Sequence, residues 1–477
     1  SLNANLAGAS LEDVDLAIER AQDAANDPAW RKLLPHERAA YLYRIADGIA
    51  QNADRISHVQ SRDTGKTLTE TRALALSAAG TFRYMAATLE TTEDALTPSR
   101  GNYLTMSVYE PLGVTAAITP WNSPIASDAQ KIAPALAAGN AVLLKPSSWS
   151  PLVCLELARV IEAAGLPPGL FSTLPGAGSI VGERLVTHPA IKKVSFTGGT
   201  ETGRDIARKA AEKLMPVSLE LGGKSPTIVG RSAHVPTVAF RLAAAKVANG
   251  GQLCVNPDVT YVPREMLEPF IAGLRSSFEQ MLPRIRGNPE ATAVVNTRHL
   301  ARIEECVADA VRSGARVEVL SEDVPACDDD RRRPLRIVVD PPASTRIMRE
   351  EIFGPAMVVV TYDRIEDAIA DINGRPRPLA LYYFGEDAAE QQFVLEHTVS
   401  GGVSINEAMF HAAMLDAPFG GIGESGMGHY HGREGFLEFS HARTVFKAGA
   451  YDPRREWGVL PPYGEHFLAA IDAQITP

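Results

Sequence analysis

The sequence predicts an α/β protein with a doubly wound, mostly parallel sheet and a second α/β domain. Three observations lead there. From about residue 108 the chain repeats strand, turn and helix at the lengths of βαβ units. Its unusual polar residues and glycine turns fall at the carboxyl ends of the strands, where open parallel sheets bind ligands. Its 477 residues are too many for one simple core.

The elements follow in order. Ser10 and Asp13 mark a helix start, after which Leu11, Val14, Ala17, Ile18, Ala21 and Ala25 recur at helical spacing. A second amphipathic helix is expected from about His36 to Ile56, both helices covering a sheet face. GVTAAITPW (113–121) reads as a buried strand ending in a Pro-Trp-Asn turn, and NAVLLKPSS (140–148) as a strand with a loop at its carboxyl end. A helix at about 151–164 is opened by Ser150 and Pro151 and closed by Gly165. KKVSFTGGTETG (192–203) is strand, glycine turn, helix. VSLELGGKSPTIV (217–229) is a strand broken by two glycines. A helix at about 236–249 leads into GGQLC (250–254). ARVEVL (315–320), AMVVVTY (356–362) and GGVSINE (401–407) supply strands of the second domain. The cluster CDDDRRRP (327–334) is expected to be an exposed loop.

Composition limits the function. Apolar residues make up 45% and charged ones 22%, as in soluble globular proteins. A formal charge of -10 argues against a nucleic-acid partner. No apolar run is long enough to span a membrane. The chain opens at Ser1 with no charged segment leading an apolar one, so no signal peptide is expected. Four cysteines, at 154, 254, 306 and 327, are too scattered for a disulfide framework or a metal site, and suit a reducing, cytoplasmic setting.

Four residues carry the chemistry. Cys254, after Gly-Gly-Gln at a helix end, is a nucleophile or a small buried hydrophobe. Cys154, Cys306 and Cys327 keep the second reading. Glu220 sits on an otherwise apolar strand. Burying a carboxyl group favours its neutral form and moves it toward the range a general base needs, unless a Lys or Arg pairs with it. Asn122 is a turn former or an amide donor for an oxyanion. Lys145 is a solvated loop lysine or a holder of ribose hydroxyls or phosphate. The turn FTGGTETG is a weak signal alone.

Together these segments resemble the aldehyde dehydrogenase superfamily over nearly the full length. PLGVTAAITPWN, LLKPSS, FTGGTETG, LELGGKSP, GGQLC, EEIFGP (350–355), SIN (404–406) and PFGGIGESGMG (418–428) stand in the family's order. The middle resembles betaine-aldehyde-like members. The later half, with QLCVNPD, RPRPLALYYFG and GMGHYHGREGFLEFSH, resembles coniferyl aldehyde dehydrogenases and the fatty-aldehyde branch.

The resemblance implies Cys254 as nucleophile, Glu220 as base, and Asn122 with the Cys254 backbone N–H as oxyanion hole. It implies Lys145 at the adenosine ribose, Glu351 at the nicotinamide ribose and Phe353 beside the nicotinamide. Pro120, Trp121, Gly198, Gly199 and Leu221 would line the cofactor path, and no metal is implied. Ser148 replaces the Glu with which NAD-preferring members chelate the ribose, so both NAD and NADP are expected. Ser123 and His411 are polar candidates for the substrate mouth, although His411 reads equally as a core or surface histidine. Arg433, with Glu434 beside it, stands where relatives keep a second glutamate, leaving Glu220 as the one expected base.

The implied architecture is the aldehyde dehydrogenase fold. It has a Rossmann-like NAD(P)-binding domain (1–96 and 112–222), an α/β catalytic domain (223–428), a small β oligomerisation hairpin (97–111 and 443–451) and a tail (452–477). A homodimer or homotetramer is expected, as is the oxidation of an aldehyde, aromatic or otherwise apolar, to its acid. The rivals are a CoA-acylating relative, against which Glu220 argues, and a non-catalytic binding protein. The chain also opens inside the segment usual for the family, so an early strand or arm is expected to be missing, and whether the native N-terminus is longer stays open.

Overall fold

The structure is a computed structural model that describes residues 4–98, 103–321, 330–450, 452–456, 459–461, 463 and 466–475. The chain divides into two compact units. One comprises Ser1–Glu90 and Leu112–Phe439, the other Thr91–Pro111 and Ser440–Pro477.

The larger unit holds two sheets. The first has six strands in the order Gly426–Met427, Val217–Glu220, Ile191–Thr197, Val114–Ile118, Ala141–Lys145, Phe171–Thr173. All neighbours are parallel except the first pair. The second has seven, in the order Arg316–Val319, Arg336–Val339, Ala356–Tyr362, Val259–Pro263, Pro226–Val229, Ala380–Phe384, Gly402–Ile405. Only its first pair is antiparallel. Ile337 and Val339 pack into one core cluster and Val338 into another, so this sheet is buried on both faces. That two-sided burial is why its strands read as unbroken apolar runs.

The first helix, Leu11–Asn26, starts in a capping box: Asp13 N–H donates to Ser10 Oγ at 3.2 Å and Ser10 N–H to Asp13 Oδ2 at 2.9 Å. Val14, Ala17, Ile18, Ala21 and Ala25 are buried as their spacing predicts, while Leu11 is exposed. The stretch expected as one helix from His36 to Ile56 is two, Pro35–Gln51 and Ala53–Thr64. The break is at Asn52, whose side chain donates to Gly48 O at 2.8 Å. The buried residues continue in step across it, which hides the break from a periodicity argument.

The helix Leu152–Ala163 has Pro151 at its cap position and Gly165 left-handed after it, but Ser150 Oγ makes no capping bond. The segment 217–229 is two strands in different sheets rather than one interrupted strand. The chain crosses between sheets at Leu221–Ser225, and Lys224 locks the crossing by donating to the Asp258 carboxylate and to the carbonyls of Ile347 and Glu350.

The loop expected at 327–334 is corrected in part. Residues 322–329, including Cys327, lie outside the described residues. Arg331, Arg332 and Arg333 are half-buried, donating to Val294 O, Ala291 O and Glu304. Guanidinium groups facing inward carbonyls are not a solvated charge run.

The smaller unit is a three-stranded antiparallel sheet, Ala95–Leu96, Leu104–Pro111 and Ser440–Lys447. Its strands begin at Ala95 and Ser440, earlier than the expected 97 and 443, and the last ends at Lys447 rather than at 451; residues 99–102 and 451 are outside the described residues. In the tail, His466–Ile475 forms a helix on which Leu468 is exposed. Among the described residues no helix is long and apolar enough to cross a membrane.

Candidate active site

Two strand ends of the six-stranded sheet bring the first residues together. Thr119 N–H, just past the strand Val114–Ile118, donates to Lys145 O at 3.1 Å, so the turn carrying Pro120, Trp121 and Asn122 lies beside Lys145. The next strand delivers Gly198 and Gly199. A Cβ on Gly198 would fall 2.5 Å from the Phe196 ring, whereas one on Gly199 would meet nothing. Gly199 caps the helix Thr200–Ala211, whose N-terminus suits an anion.

Glu220 ends the strand Val217–Glu220 in register with Thr197 and is 4% exposed. The nucleophile candidate arrives from the other sheet's side. After the helix Val235–Val247, Asn249, Gly250 and Gly251 are left-handed in succession, at φ 51°, 56° and 76°. Two glycines and an Asn are the residues that tolerate this. The turn places Cys254 half-buried in the cleft wall, its carbonyl accepting from Ser225 Oγ at 3.2 Å.

The Cys254 thiol donates to Glu220 Oε1 at 3.0 Å. Glu220 Oε2 accepts from Thr197 Oγ1 at 3.1 Å, and that hydroxyl accepts from the buried Lys131 Nζ at 2.6 Å. Among the described residues no cation pairs directly with Glu220; Lys131 reaches it through Thr197 and sits 4.0 Å above the Tyr430 ring centroid. Burial pushes the Cys254 thiol well above the usual range, and the Glu220 carboxylate adds to the shift. Asn122 Nδ2 donates to Gln252 O at 3.1 Å, which fixes the amide and leaves its second N–H for another acceptor.

One cavity of about 1070 Å³ is lined by Cys254, Glu220 and Asn122 together with Pro120, Trp121, Lys145, Ser148, Gly198, Gly199, Leu221, Glu351 and Phe353. Lys145 Nζ donates to Pro146 O at 2.9 Å, and burial pulls its ammonium down. Ser148 stands exposed on the wall. Glu351 is pushed up to about 8 by burial and by Asp258, against a Gly223 N–H and Lys224. Phe353, left-handed at φ 49°, stacks edge-on to Trp121 with centroids 5.5 Å apart.

Other expectations fall differently. Ser123 lines the cavity, but His411 does not: its Nδ1 pairs with Ser404 Oγ at 2.8 Å between Tyr382 and Phe419, and burial pulls it down to about 4. Arg433 and Glu434 are exposed on a short helix and are not on the cavity wall. Sequence reasoning missed Thr197, Lys131, His299 and Phe419. A lysine on the almost wholly buried helix Pro124–Ala137 was the one available signal, for Lys131.

Residues 2–445 match the model of the aldehyde dehydrogenase family. The chain belongs to the aldehyde dehydrogenase family. A probable coniferyl aldehyde dehydrogenase of Pseudomonas aeruginosa is 42% identical over 358 residues, 75% of this chain and 73% of the relative. The indole-3-acetaldehyde dehydrogenase of P. syringae, solved with NAD+, superposes with TM-score 0.89 at 29% identity, over 94% of this chain and 91% of that one. An E. coli NADP-dependent enzyme superposes with TM-score 0.85 at 31% identity, over 92% and 90%.

Proposed function

We propose that this family member oxidises an aromatic or other apolar aldehyde to its carboxylic acid through a thioester on Cys254, with NAD or NADP. The 3.0 Å contact between the Cys254 thiol and Glu220, on the wall of a cavity of about 1070 Å³, carries the proposal.

Glu220 takes the thiol proton as sulfur attacks the carbonyl carbon. The second N–H of Asn122 and the Cys254 backbone N–H receive the oxyanion; one such aligned donor is worth about 3 kcal/mol. The nicotinamide, when bound, supplies the hydride acceptor. Glu220, its proton released, then takes one from water, whose oxygen attacks the thioester, and the acid leaves the sulfur. A carboxylate placed for water is what hydrolysis needs and transfer to CoA does not, so we rank the CoA-acylating alternative second.

The cofactor fits the cleft. Lys145, Ser148, the open Gly199 at its helix N-terminus, Glu351 and Phe353 all line the cavity that Cys254 shares. A Cβ on Gly222 would fall 2.3 Å from Glu351 Oε2, so the glycine makes room for that carboxyl group. Exposed Ser148 contributes no carboxylate of its own against a 2′-phosphate. Met409, Val255, Ala412, Ala413 and Phe419 give the cavity an apolar lining, and the similarity to coniferyl and indole-3-acetaldehyde dehydrogenases supports an aromatic substrate.

We assign 1–96 and 112–222 to the cofactor domain and 223–428 to the catalytic domain, although Ala95–Leu96 pairs in the small sheet and Gly426–Met427 at the edge of the six-stranded one. The small sheet is assigned to subunit association, because its edge strand Ser440–Lys447 exposes Phe446 and can extend across a homodimer. Sparse cysteines support a cytoplasmic setting.

The test is a steady-state screen of aromatic, long-chain and charged aldehydes with both cofactors, identifying the product. Acid formation that Cys254→Ala abolishes, with cofactor binding intact, supports the proposal. Turnover retained by Cys254→Ala refutes the thioester route.

A further inference from the structure

Glu70 lies 179 residues before Asn249 and outside every motif discussed above, yet its carboxylate meets the loop that carries Cys254. It is the third residue of the helix Leu68–Thr91, where a capping box is complete: Glu70 N–H donates to Thr67 Oγ1 at 3.1 Å, and Thr67 N–H to Glu70 Oε2 at 3.3 Å. A cap uses one carboxylate oxygen. The other, Oε1, accepts from Asn249 N–H at 2.5 Å, and Oε2 also accepts from Thr292 Oγ1 at 2.7 Å.

Asn249 needs that acceptor. The preceding Ala248 is extended, so the helix ladder has ended there, and Asn249 is 2% exposed. Its N–H would otherwise be buried without a partner. Asn249 in turn touches the backbone of Asn122, whose amide is expected to bind the oxyanion, and the Gln252 carbonyl that holds that amide. Its Nδ2 donates to Gln252 O at 2.8 Å and to Asn122 O at 3.3 Å, while Asn122 donates to the same Gln252 carbonyl. Gln252 returns a bond to Asn249 O at 2.9 Å and accepts from Val295 N–H at 2.9 Å. The loop is thus tied twice to the 292–295 segment, once through Glu70 and once through Gln252.

We propose that Glu70 is a positioning residue for the nucleophile: by holding Asn249 in its left-handed conformation it aligns the Asn122 amide with the Cys254 backbone N–H. The inference rests on Cys254 being the nucleophile. Glu70 touches no reacting atom; it acts on the transition state through Asn249, the Gln252 carbonyl and the Asn122 amide which that carbonyl holds.

Glu70→Ala should lower kcat per site by about 10- to 100-fold and change KM for aldehyde and cofactor by less than about threefold, the pattern of an interaction made in the transition state. Folded sites are counted by reduced-nicotinamide fluorescence titration, so a role in folding alone would reduce the number of sites and leave kcat per site unchanged. Glu70→Gln should restore kcat to within about threefold, because an amide oxygen can still accept from Asn249 N–H. Should Glu70→Ala fail to fold, Glu70→Asp carries the test: it keeps the charge but withdraws the carboxylate by one methylene, and should lose about tenfold or more. Wild-type kcat per site in whichever of these two variants folds overturns the inference. Cys254→Ser, run alongside, should be inactive. An active Cys254→Ser removes the reading and the inference with it, whereas an inactive one beside a full-rate Glu70 variant removes the inference alone.

Discussion

The thiol of Cys254 donates to Glu220 Oε1 at 3.0 Å, and these two residues come from strands and turns of different sheets. Sulfur and base are therefore joined before any substrate enters, with the proton still on sulfur. Burial first, and then the neighbouring anion, hold it there.

Alkylation of Cys254 reports this directly. In cofactor-free enzyme iodoacetamide should inactivate slowly near neutral pH and faster as pH rises, since the thiolate is the reactive form. Glu220→Gln removes the charge that favours the protonated thiol and leaves only a neutral amide oxygen as acceptor. The alkylation profile should move to lower pH while turnover falls by about 10²- to 10⁴-fold. A profile that moves to higher pH contradicts the coupling.

Asn122→Ala should reduce kcat by about 10²- to 10³-fold with little change in cofactor binding, the loss expected for one oxyanion donor. Stopped-flow measurement of hydride transfer separates this from slow product release. A variant within a few-fold of wild type would show that Asn122 serves only to hold the Gln252 carbonyl.

Ser148→Glu tests cofactor choice. An added carboxylate should raise KM for NADP by about tenfold or more, roughly 1.4 kcal/mol, and change KM for NAD much less. Equal effects on the two cofactors would mean that the 2′-phosphate lies elsewhere.

Asp128 tests the core beneath the site. It is fully buried, and neither carboxyl oxygen has a hydrogen-bond partner among the described residues. Burial pushes it up to about 7 from 3.8, with Thr119 and Lys131 opposing. The folded state therefore holds a proton that the unfolded state releases, and this contribution to stability is full below about 3.8 and lost as pH rises through about 7. Asp128→Asn should stabilise by about 1–3 kcal/mol at pH 8, and hardly at all near pH 4. Denaturant melts at the two pH values check the sign.

What the sequence disclosed was what local pattern can carry. Strands buried on both faces, such as 141–145 and 356–362, stand out as apolar runs, and the polar residues just beyond their ends mark the cleft. The switch of sheet after Glu220 left no trace, because a strand interrupted by glycines and a strand leaving its sheet share one pattern. Lys131 and Glu70 were also hidden. Each meets its partner across 66 and 179 residues respectively, and no spacing rule reaches that far. The basic half of 327–334 misled for a related reason: composition shows the guanidinium groups but not the carbonyl oxygens awaiting them.

The five residues Leu221–Ser225 act as the joint of a pair of pliers, with a jaw on each sheet. Lys224 is the pin, and the gap it sets is the distance a proton must travel. Removing the Lys224 ammonium would leave the buried Asp258 carboxylate unpaired and loosen both jaws at once, although it touches neither Cys254 nor Glu220. The fineness of the chemistry is thus a property of how one short connection is fastened.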